Sequence, residues 1–281
     1  MNRGPFGYCL NTSTLRGHGL GLVEEIELAA EVGYDGIEPW IRELDAYVEN
    51  GGSLSKLAQI IERAGLDVPN AIGFFEWAVD DVDRRREALD EARRNLEMCA
   101  EIGCERLAAP PSGITDAEIP LSVVTERYRA LLEMSEDTGV TPVVEFWGIS
   151  RTLGRLGEAV YVAMESGHRN ACVLADVYHM YKGGSPHNGL RLVGPKTLGL
   201  VHINDYPQKP ELEVITDADR VYPGDGVAPL AQILHDLKVA GFDGMLSLEL
   251  FNETYWEQDV KLVARTGLEK MRAAVEAGLA L

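Results

Sequence analysis

The segment EVGYDGIE, residues 31–38, ends a helical pattern and opens a short apolar run, and this type of junction recurs along the chain. Gly33 stands directly after the last helical position, where helices commonly end in a residue with a left-handed backbone. Similar junctions occur at 64–68, 102–105, 138–141 and 240–244. Five such junctions favour a chain that is built from repeated strand–helix units.

The apolar runs predict eight strands, and the amphipathic segments between them predict helices. The strands fall at 6–11, 36–40, 68–74, 106–110, 142–146, 171–176, 198–205 and 245–251. The helices fall at 20–32, 54–64, 82–102, 121–138, 154–166, 188–193, 230–240 and 256–277, and the sixth of them is weak. Eight parallel units of about 35 residues match a (β/α)8 TIM barrel. Since no linker or low-complexity tract divides the chain, we expect one domain over 1–281.

The composition is that of an acidic globular protein, with 26 Lys and Arg against 45 Asp and Glu and a net charge of −19. This charge argues against a nucleic-acid partner, because such partners are bound through basic residues. No apolar run is long enough to predict a membrane span. The cysteines show no metal-binding spacing and are expected to be free thiols: Cys9, Cys99, Cys104 and Cys172. Without a signal-peptide pattern, a cytoplasmic location is expected, and the oligomeric state stays open, a homo-oligomer included.

Ionisable side chains interrupt the apolar runs of four consecutive predicted strands, the fifth to the eighth. They are Glu145, Asp176, His202 and Glu249. In a parallel barrel the active groups lie at the carboxyl ends of the strands, so these four are expected on one rim. Any one of them alone is more typical of a salt bridge. Together they are interpreted as ligands of one divalent ion, Mn²⁺, Co²⁺, Mg²⁺ or Zn²⁺, because an unpartnered buried charge is costly.

Further polar and aromatic residues are expected around this rim. His179 follows the predicted ligand of the sixth strand by three residues, and Arg220 opens a turn-rich segment, RVYPGDG, that is expected to form a wall over the site. Asn11 and Glu38 end the first two predicted strands and are expected to complete the pocket. Aromatic residues near strand ends are expected to line it: Trp40, Phe74, Trp147, Tyr206 and Phe251. No phosphate-binding glycine loop is present, so a phosphorylated substrate is not favoured.

The segments around these residues resemble the xylose isomerase-like barrels, also called sugar phosphate isomerases/epimerases, over essentially the whole chain. Within that family the members that act on inososes in inositol catabolism are the most similar. The segments are VEFWG at 144–148, LADVYH at 174–179, HIND at 202–205, TDADRVYPGDG at 216–226 and SLELF at 247–251.

The resemblance implies a role for each matching residue. Glu145, Asp176, His202 and Glu249 would bind one divalent metal. Glu145 and Glu249 would also transfer protons, and His179 and Arg220 would bind substrate oxygens; His179 is a further proton-transfer candidate. Trp147, beside the first ligand, would contact the substrate.

The resemblance also implies an activity: a metal-dependent isomerase or epimerase that acts on a small keto-polyol or keto-sugar through a metal-stabilised enediolate. Ketohexose 3-epimerases of the family carry a second Glu six residues after the fifth-strand ligand, whereas this chain has Arg151, which argues against free-ketohexose epimerisation. A dehydratase or lyase on the same kind of substrate and a non-catalytic sugar-binding barrel remain alternatives. The sequence leaves open which metal binds and which Glu is the base.

Overall fold

Seven parallel strands form one curled sheet in the computed structural model of the protein, which describes residues 4–281. The strands are β1 (Gly7–Asn11), β2 (Gly36–Glu38), β3 (Arg106–Ala109), β4 (Thr141–Glu145), β5 (Val173–Asp176), β6 (Leu198–Ile203) and β7 (Met245–Leu248). Their order across the sheet is β2-β1-β7-β6-β5-β4-β3. The predicted single-domain TIM barrel is therefore confirmed, and seven of the eight predicted strands are present among the described residues.

The predicted third strand, 68–74, is wrong as a regular strand, although its segment fills the gap between β2 and β3. It pairs only through isolated parallel bridges, Gly36 with Asp67, Trp40 with Ile72 and Ala71 with Leu107. Pro69 has no N–H to donate, so a continuous ladder cannot run through this segment. The barrel closes here by single hydrogen bonds, such as the 2.9 Å bond from the Ala108 N–H to the Ala71 carbonyl.

Ten α-helices and three 3₁₀ helices surround the sheet in the described part of the chain. The α-helices are α1 (Leu22–Val32), α2 (Ile41–Glu49), α3 (Leu54–Ala64), α4 (Val82–Glu101), α5 (Leu121–Ser135), α6 (Leu156–Glu165), α7 (Val177–Lys182), α8 (Leu230–Val239), α9 (Glu253–Trp256) and α10 (Val260–Leu279). The 3₁₀ helices are Thr12–His18, His187–Leu192 and Asp217–Asp219. The weak sixth predicted helix is the second of these. The sequence patterns did not predict α2, α7, α9 or the first 3₁₀ helix.

The five junction glycines adopt the left-handed backbone that the sequence predicts for them, with φ between 70° and 96°. They are Gly33, Gly65, Gly103, Gly139 and Gly241. At this φ a side chain would be strained, so glycine ends each helix and redirects the chain toward the next strand. The repeated junction thus sets the strand–helix alternation of the barrel.

The core lies mainly between the sheet and the helices, because each helix turns one apolar stripe inward. On α3 the stripe is Leu54, Leu57 and Ile61, spaced by three and four residues. Every residue of β5 and β6 is buried, as expected for strands that are covered on both faces. The four cysteines are buried and free, as predicted. Among residues 4–281 we find no helix with the length and apolar character of a membrane span.

Candidate active site

The junction of β5 and α7 places two polar side chains together. Asp176 is the last residue of β5 and the N-cap of α7, and its Oδ1 accepts a 2.9 Å hydrogen bond from the backbone N–H of His179. This bond satisfies a free donor of the first helical turn. The predicted pair of Asp176 and His179 is therefore held in one turn at the carboxyl end of the sheet.

Three of the four predicted metal ligands meet at this rim. His202 lies on β6, which pairs with both β5 and β7, so it stands between Asp176 at the end of β5 and Glu249 directly after β7. His202 Nδ1 lies 3.2 Å from Glu249 Oε2 and 3.5 Å from Asp176 Oδ2. Ligand atoms of the three residues all lie within 4.8 Å of one another, and all three side chains are buried. This group is called the ligand cluster below.

The orientation of His202 fits a metal ligand. Its Nε2 lies 3.0 and 3.1 Å from the two carboxylate oxygens of Glu38, which favours the tautomer with the proton on Nε2. Its Nδ1 is buried and has no hydrogen-bond partner within residues 4–281, although two carboxylates face it. A divalent cation would complete this arrangement, because it binds the free imidazole nitrogen and both carboxylates at once.

Glu38 holds the imidazole from below the cavity. Its fully buried carboxylate accepts hydrogen bonds from Asn70 (2.7 Å), Asn11 (2.8 Å) and Ser247 (2.6 Å). Burial alone would raise the pKa of Glu38, but His202 and these donors lower it below its ordinary value. Since all its partners are protein groups, this placement favours a positioning role for Glu38. The predicted substrate contacts of Asn11 and Glu38 stay predictions.

Glu145, the fourth predicted ligand, lies beside the ligand cluster without being part of it. It is the last residue of β4, it lines the cavity, and it accepts a 3.1 Å hydrogen bond from the Trp147 indole N–H. Burial raises the pKa of Glu145 to about 8; His202 opposes the shift, and the carboxylates of Glu249 and Asp176 add to it. Glu145 is therefore a carboxyl group that holds a proton near neutral pH.

Arg220 compensates the charge of the ligand cluster. Its guanidinium is buried, and its Nη1 donates to Asp176 Oδ2 at 3.0 Å and to Glu249 Oε2 at 2.7 Å. Its Nη2 pairs with Asp217 and lies 3.2 Å from His179 Nε2. Burial would lower the pKa of Arg220, but the three carboxylates raise it, so the side chain stays charged. The structure thus brings Arg220 and His179 to the predicted site.

The turn after Arg220 is fixed by one buried carboxylate. Asp205 accepts hydrogen bonds of 2.8 to 3.0 Å from the backbone N–H groups of Tyr206, Gly224, Gly226 and Ala228. A Cβ on Gly226 would lie 2.2 Å from the Tyr206 carbonyl oxygen, so only glycine fits there. The tight turn that the sequence predicts is therefore present, and it holds the Arg220 loop against the site.

A cavity of about 310 Å³ opens in front of the ligand cluster, a size at the lower end of small-molecule sites. Aromatic rings form an arc in its wall: Trp147 and Phe74 (centroids 5.2 Å apart), Phe74 and Trp40 (5.3 Å), and Trp40 and Phe251 (6.1 Å). Four of the five aromatic residues expected in the pocket therefore line it. Tyr206 is instead buried elsewhere and stacks on Tyr181 at 3.9 Å.

Several residues of the site were missed by the sequence patterns. Asn70 and Ser247 interrupt apolar runs, the same signal that points to His202, and would have been found by applying it to every strand. Arg16 also lines the cavity, from the 3₁₀ helix after β1. No spacing or motif in the sequence places it there, because its position depends on packing across the barrel.

Comparison with known proteins defines the class. The family profile described as xylose isomerase-like TIM barrel matches residues 26–274, and the chain belongs to this family. An inosose isomerase of Bacillus velezensis is 29% identical over 276 residues, which cover 95% of this chain and 96% of that protein. A fructoselysine 3-epimerase of Escherichia coli O157:H7 is 23% identical, covering 87% and 90%.

A solved structure shares the fold as a whole. The crystal structure of IolI protein with a bound zinc atom superimposes with a TM-score of 0.90 at 24% identity, over 98% of this chain and 100% of that one. Together with the relatives, it makes this chain an enzyme of the isomerase and epimerase class.

Proposed function

We propose that the protein is a divalent-metal-dependent isomerase or epimerase of a small keto-polyol of the inosose type. The observation that carries this proposal is the buried, unpartnered Nδ1 of His202, which faces Asp176 and Glu249 at the mouth of the cavity. The similarity to an inosose isomerase supports the substrate class, and the zinc atom in the IolI structure supports a bound metal ion.

Asp176, His202 and Glu249 would hold one divalent ion, with Mn²⁺, Co²⁺, Mg²⁺ and Zn²⁺ as candidates. When bound, the ion supplies Lewis-acid polarisation of the substrate carbonyl. Glu38 would keep the His202 imidazole in the required tautomer, since its carboxylate accepts the hydrogen bond of the Nε2–H group. The role of Glu145 as a fourth ligand stays a prediction beside its role in proton transfer.

Two carboxyl groups of the cavity are suited to opposite steps of proton transfer. Glu249 lines the cavity and accepts hydrogen bonds from Arg220 (2.7 Å) and Asn11 (3.2 Å), and it would remove the proton from the carbon beside the carbonyl. Glu145 holds a proton, because burial raises its pKa to about 8, and it would return one to the neighbouring carbon. Protonation of the neighbouring carbon, with transfer of the hydroxyl proton between the two oxygens, moves the carbonyl by one carbon. Protonation of the first carbon on its opposite face instead inverts the stereocentre.

The other lining residues orient the substrate and exclude water. Burial lowers the pKa of His179, so its imidazole is neutral and suited to hydrogen bonding with a hydroxyl group. Arg220 presents a charged guanidinium beside it. The aromatic arc supplies apolar faces against which the C–H groups of a polyol can pack.

The proposal is tested by hydrogen exchange. Mn²⁺-loaded protein is incubated in D₂O with 2-keto-myo-inositol and, in parallel, with ketohexoses, and the products are followed by NMR. We expect deuterium at the carbon next to the carbonyl of the inosose without loss of water, and no exchange after the metal is removed with a chelator.

Variants make this test specific. Glu249→Gln is expected to abolish exchange, whereas Glu257→Gln, which removes an exposed carboxylate, is the matched control. A dehydrated product would instead identify a dehydratase or lyase. Absence of exchange with every substrate would favour a non-catalytic sugar-binding barrel.

A further inference from the structure

Arg16 is a cation in the wall of the cavity that contacts aromatic rings but leaves two nitrogens without a hydrogen-bond partner in the described part of the chain. Its guanidinium carbon lies 4.3 Å from the centroid of the Trp40 ring and 5.2 Å from that of Phe251. Its Nε and Nη2 are buried and have no hydrogen-bond partner among residues 4–281. Buried donors of this kind are normally satisfied, so their free state at a ligand cavity suggests that a ligand completes them.

The carboxylates nearest to Arg16 do not neutralise it. Glu43 is engaged by the Thr12 hydroxyl at 2.6 Å and by the Trp40 backbone N–H at 2.9 Å. Burial, together with the Glu43 charge, raises the pKa of Glu25 to about 9, against the opposing effect of Arg16. Glu43, Glu249 and Glu25 raise the pKa of Arg16 but only partly offset the burial that lowers it.

A second cation increases the positive charge of this wall. Arg42 lies 4.6 Å from the centroid of the same Trp40 ring and lines the same cavity. Burial and the Arg42 charge lower the pKa of Arg16, because the two guanidinium groups repel each other. An anion bound between them would remove this repulsion.

We propose that Arg16, assisted by Arg42, binds a carboxylate group, so that the keto-polyol substrates of the proposed function include, besides the neutral inosose, one that carries a carboxylate. This inference rests on the proposed function. The planar fork of arginine matches a carboxylate with two parallel hydrogen bonds, and stacking between aromatic rings keeps the fork in place. A phosphate is not favoured, since the sequence has no glycine-rich phosphate loop.

The distances allow one molecule to reach both ends of the cavity. The guanidinium carbons of Arg16 and Arg220 each lie 5.2 Å from the Phe251 ring centroid. Arg220 contacts the ligand cluster, so the two arginines mark the carbonyl end and the carboxylate end of a sugar-sized substrate. The guanidinium of Arg220 forms ion pairs with protein carboxylates, whereas that of Arg16 forms none within residues 4–281.

Binding of two sugars tests this assignment without turnover. D-glucuronate and D-glucose differ only in a carboxylate at the sixth carbon, and their affinities for the Mn²⁺-loaded protein are measured by titration calorimetry. We expect wild-type protein to bind glucuronate about tenfold more tightly, a preference that weakens as salt is added. Arg16→Gln is expected to reduce the ratio of affinities to near one, and Arg16→Lys, which keeps the charge without the fork, to an intermediate value.

Arg129→Gln is the matched control, because it removes an exposed arginine that pairs with Glu133 on α5. Its ratio of affinities should equal that of wild-type protein, and circular dichroism establishes that each variant is folded. Equal binding of the two sugars by wild-type protein, or an equal loss of preference in Arg129→Gln, overturns the inference. Exchange on the neutral inosose without any carboxylate preference would keep the proposed function and overturn the inference. A carboxylate preference without exchange on any substrate would keep the carboxylate-binding role of Arg16 and overturn the proposed function.

Discussion

The two walls of the cavity differ in how their charges are compensated. On the ligand wall, formed by Asp176, His202, Glu249 and Arg220, the Arg220 guanidinium lies within 3.0 Å of the carboxylates of Asp176 and Glu249. On the arginine wall, formed by Arg16 and Arg42 around Trp40, two like charges share one indole ring. The ligand wall comes from adjacent strands, whereas the arginine wall comes from the segments that follow β1 and β2.

In the ligand wall, side chains of the protein compensate one another's charges. In the arginine wall, the compensating charge would have to come from a bound ligand. Donors and acceptors that are fixed before binding need little reorganisation when the ligand arrives. A partly buried arginine whose buried nitrogens have no hydrogen-bond partner within residues 4–281 reduces stability, and binding of an anion would recover that free energy. Under these proposals the ligand wall would bind a metal ion, and the arginine wall would bind a carboxylate of the substrate.

The largest expected effect comes from removing the positive charge of Arg220 from the ligand wall. Arg220→Ala leaves the buried carboxylates of Asp176 and Glu249 without their cation, so we expect the metal-free protein to lose about 3–5 kcal/mol of unfolding free energy. The measurement is urea denaturation, with and without Mn²⁺. The loss should shrink in Mn²⁺, because the ion replaces the missing charge.

Arg129→Ala is the control for that variant, since its ion pair with Glu133 is exposed and is worth at most about 0.5 kcal/mol. If Arg220→Ala costs no more than Arg129→Ala, the buried ion pairs do not stabilise the ligand wall.

A smaller effect, on the affinity for Mn²⁺, is expected from Glu38, whose carboxylate orients the His202 imidazole. Glu38→Gln keeps the shape of the side chain but weakens the hydrogen bond that orients His202, so we expect the affinity for Mn²⁺ to fall by about 10- to 100-fold. Calorimetric titration of the metal-free protein measures this change, and Glu133→Gln on the outer surface is the matched control. An unchanged dissociation constant would show that the imidazole keeps its orientation without Glu38.

The smallest effect, counted per pH unit, concerns the titration of Glu25 beside the arginine wall. The pKa of Glu25 is about 9 in the folded protein because of burial, against its ordinary value of 4.5. The folded state therefore binds more protons between these values, and stability falls as pH rises through this window, by at most about 1.4 kcal/mol per pH unit from this group. Glu25→Gln should remove this part of the slope, as measured by urea denaturation at several pH values. Glu27→Gln, at an exposed position of α1, should leave it in place.

The ligand wall could be predicted in large part, because the sequence directly around each of its strand residues marks that residue. Asp176, His202 and Glu249 interrupt apolar strands near their carboxyl ends, and such ends share one rim in a parallel barrel. The same reasoning placed Glu145 on the rim, but only the structure shows that it lies beside the cluster, where burial raises its pKa. For 68–74 the apolar pattern predicted a strand, and Pro69 prevents a continuous one.

The arginine wall could not be predicted, because nothing local marks Arg16 or its neighbours. Arg16 stands 24 residues before Trp40 in the sequence, and their contact exists only because β1 and β2 are adjacent strands. Likewise Glu38 reaches His202 across the barrel, 164 residues away.

The sequence by itself determined the barrel, its repeated glycine junctions and the types of ligand on the rim. Periodicity and turn chemistry report which face of each element is buried and where it ends. Only the tertiary structure decided which side chains meet. It brings Glu38 to His202 and Arg220 to the carboxylates of the ligand cluster. It leaves two nitrogens of Arg16 without a hydrogen-bond partner within residues 4–281. Those pairings depend on distances between side chains from separate strands and loops, which a linear pattern does not contain.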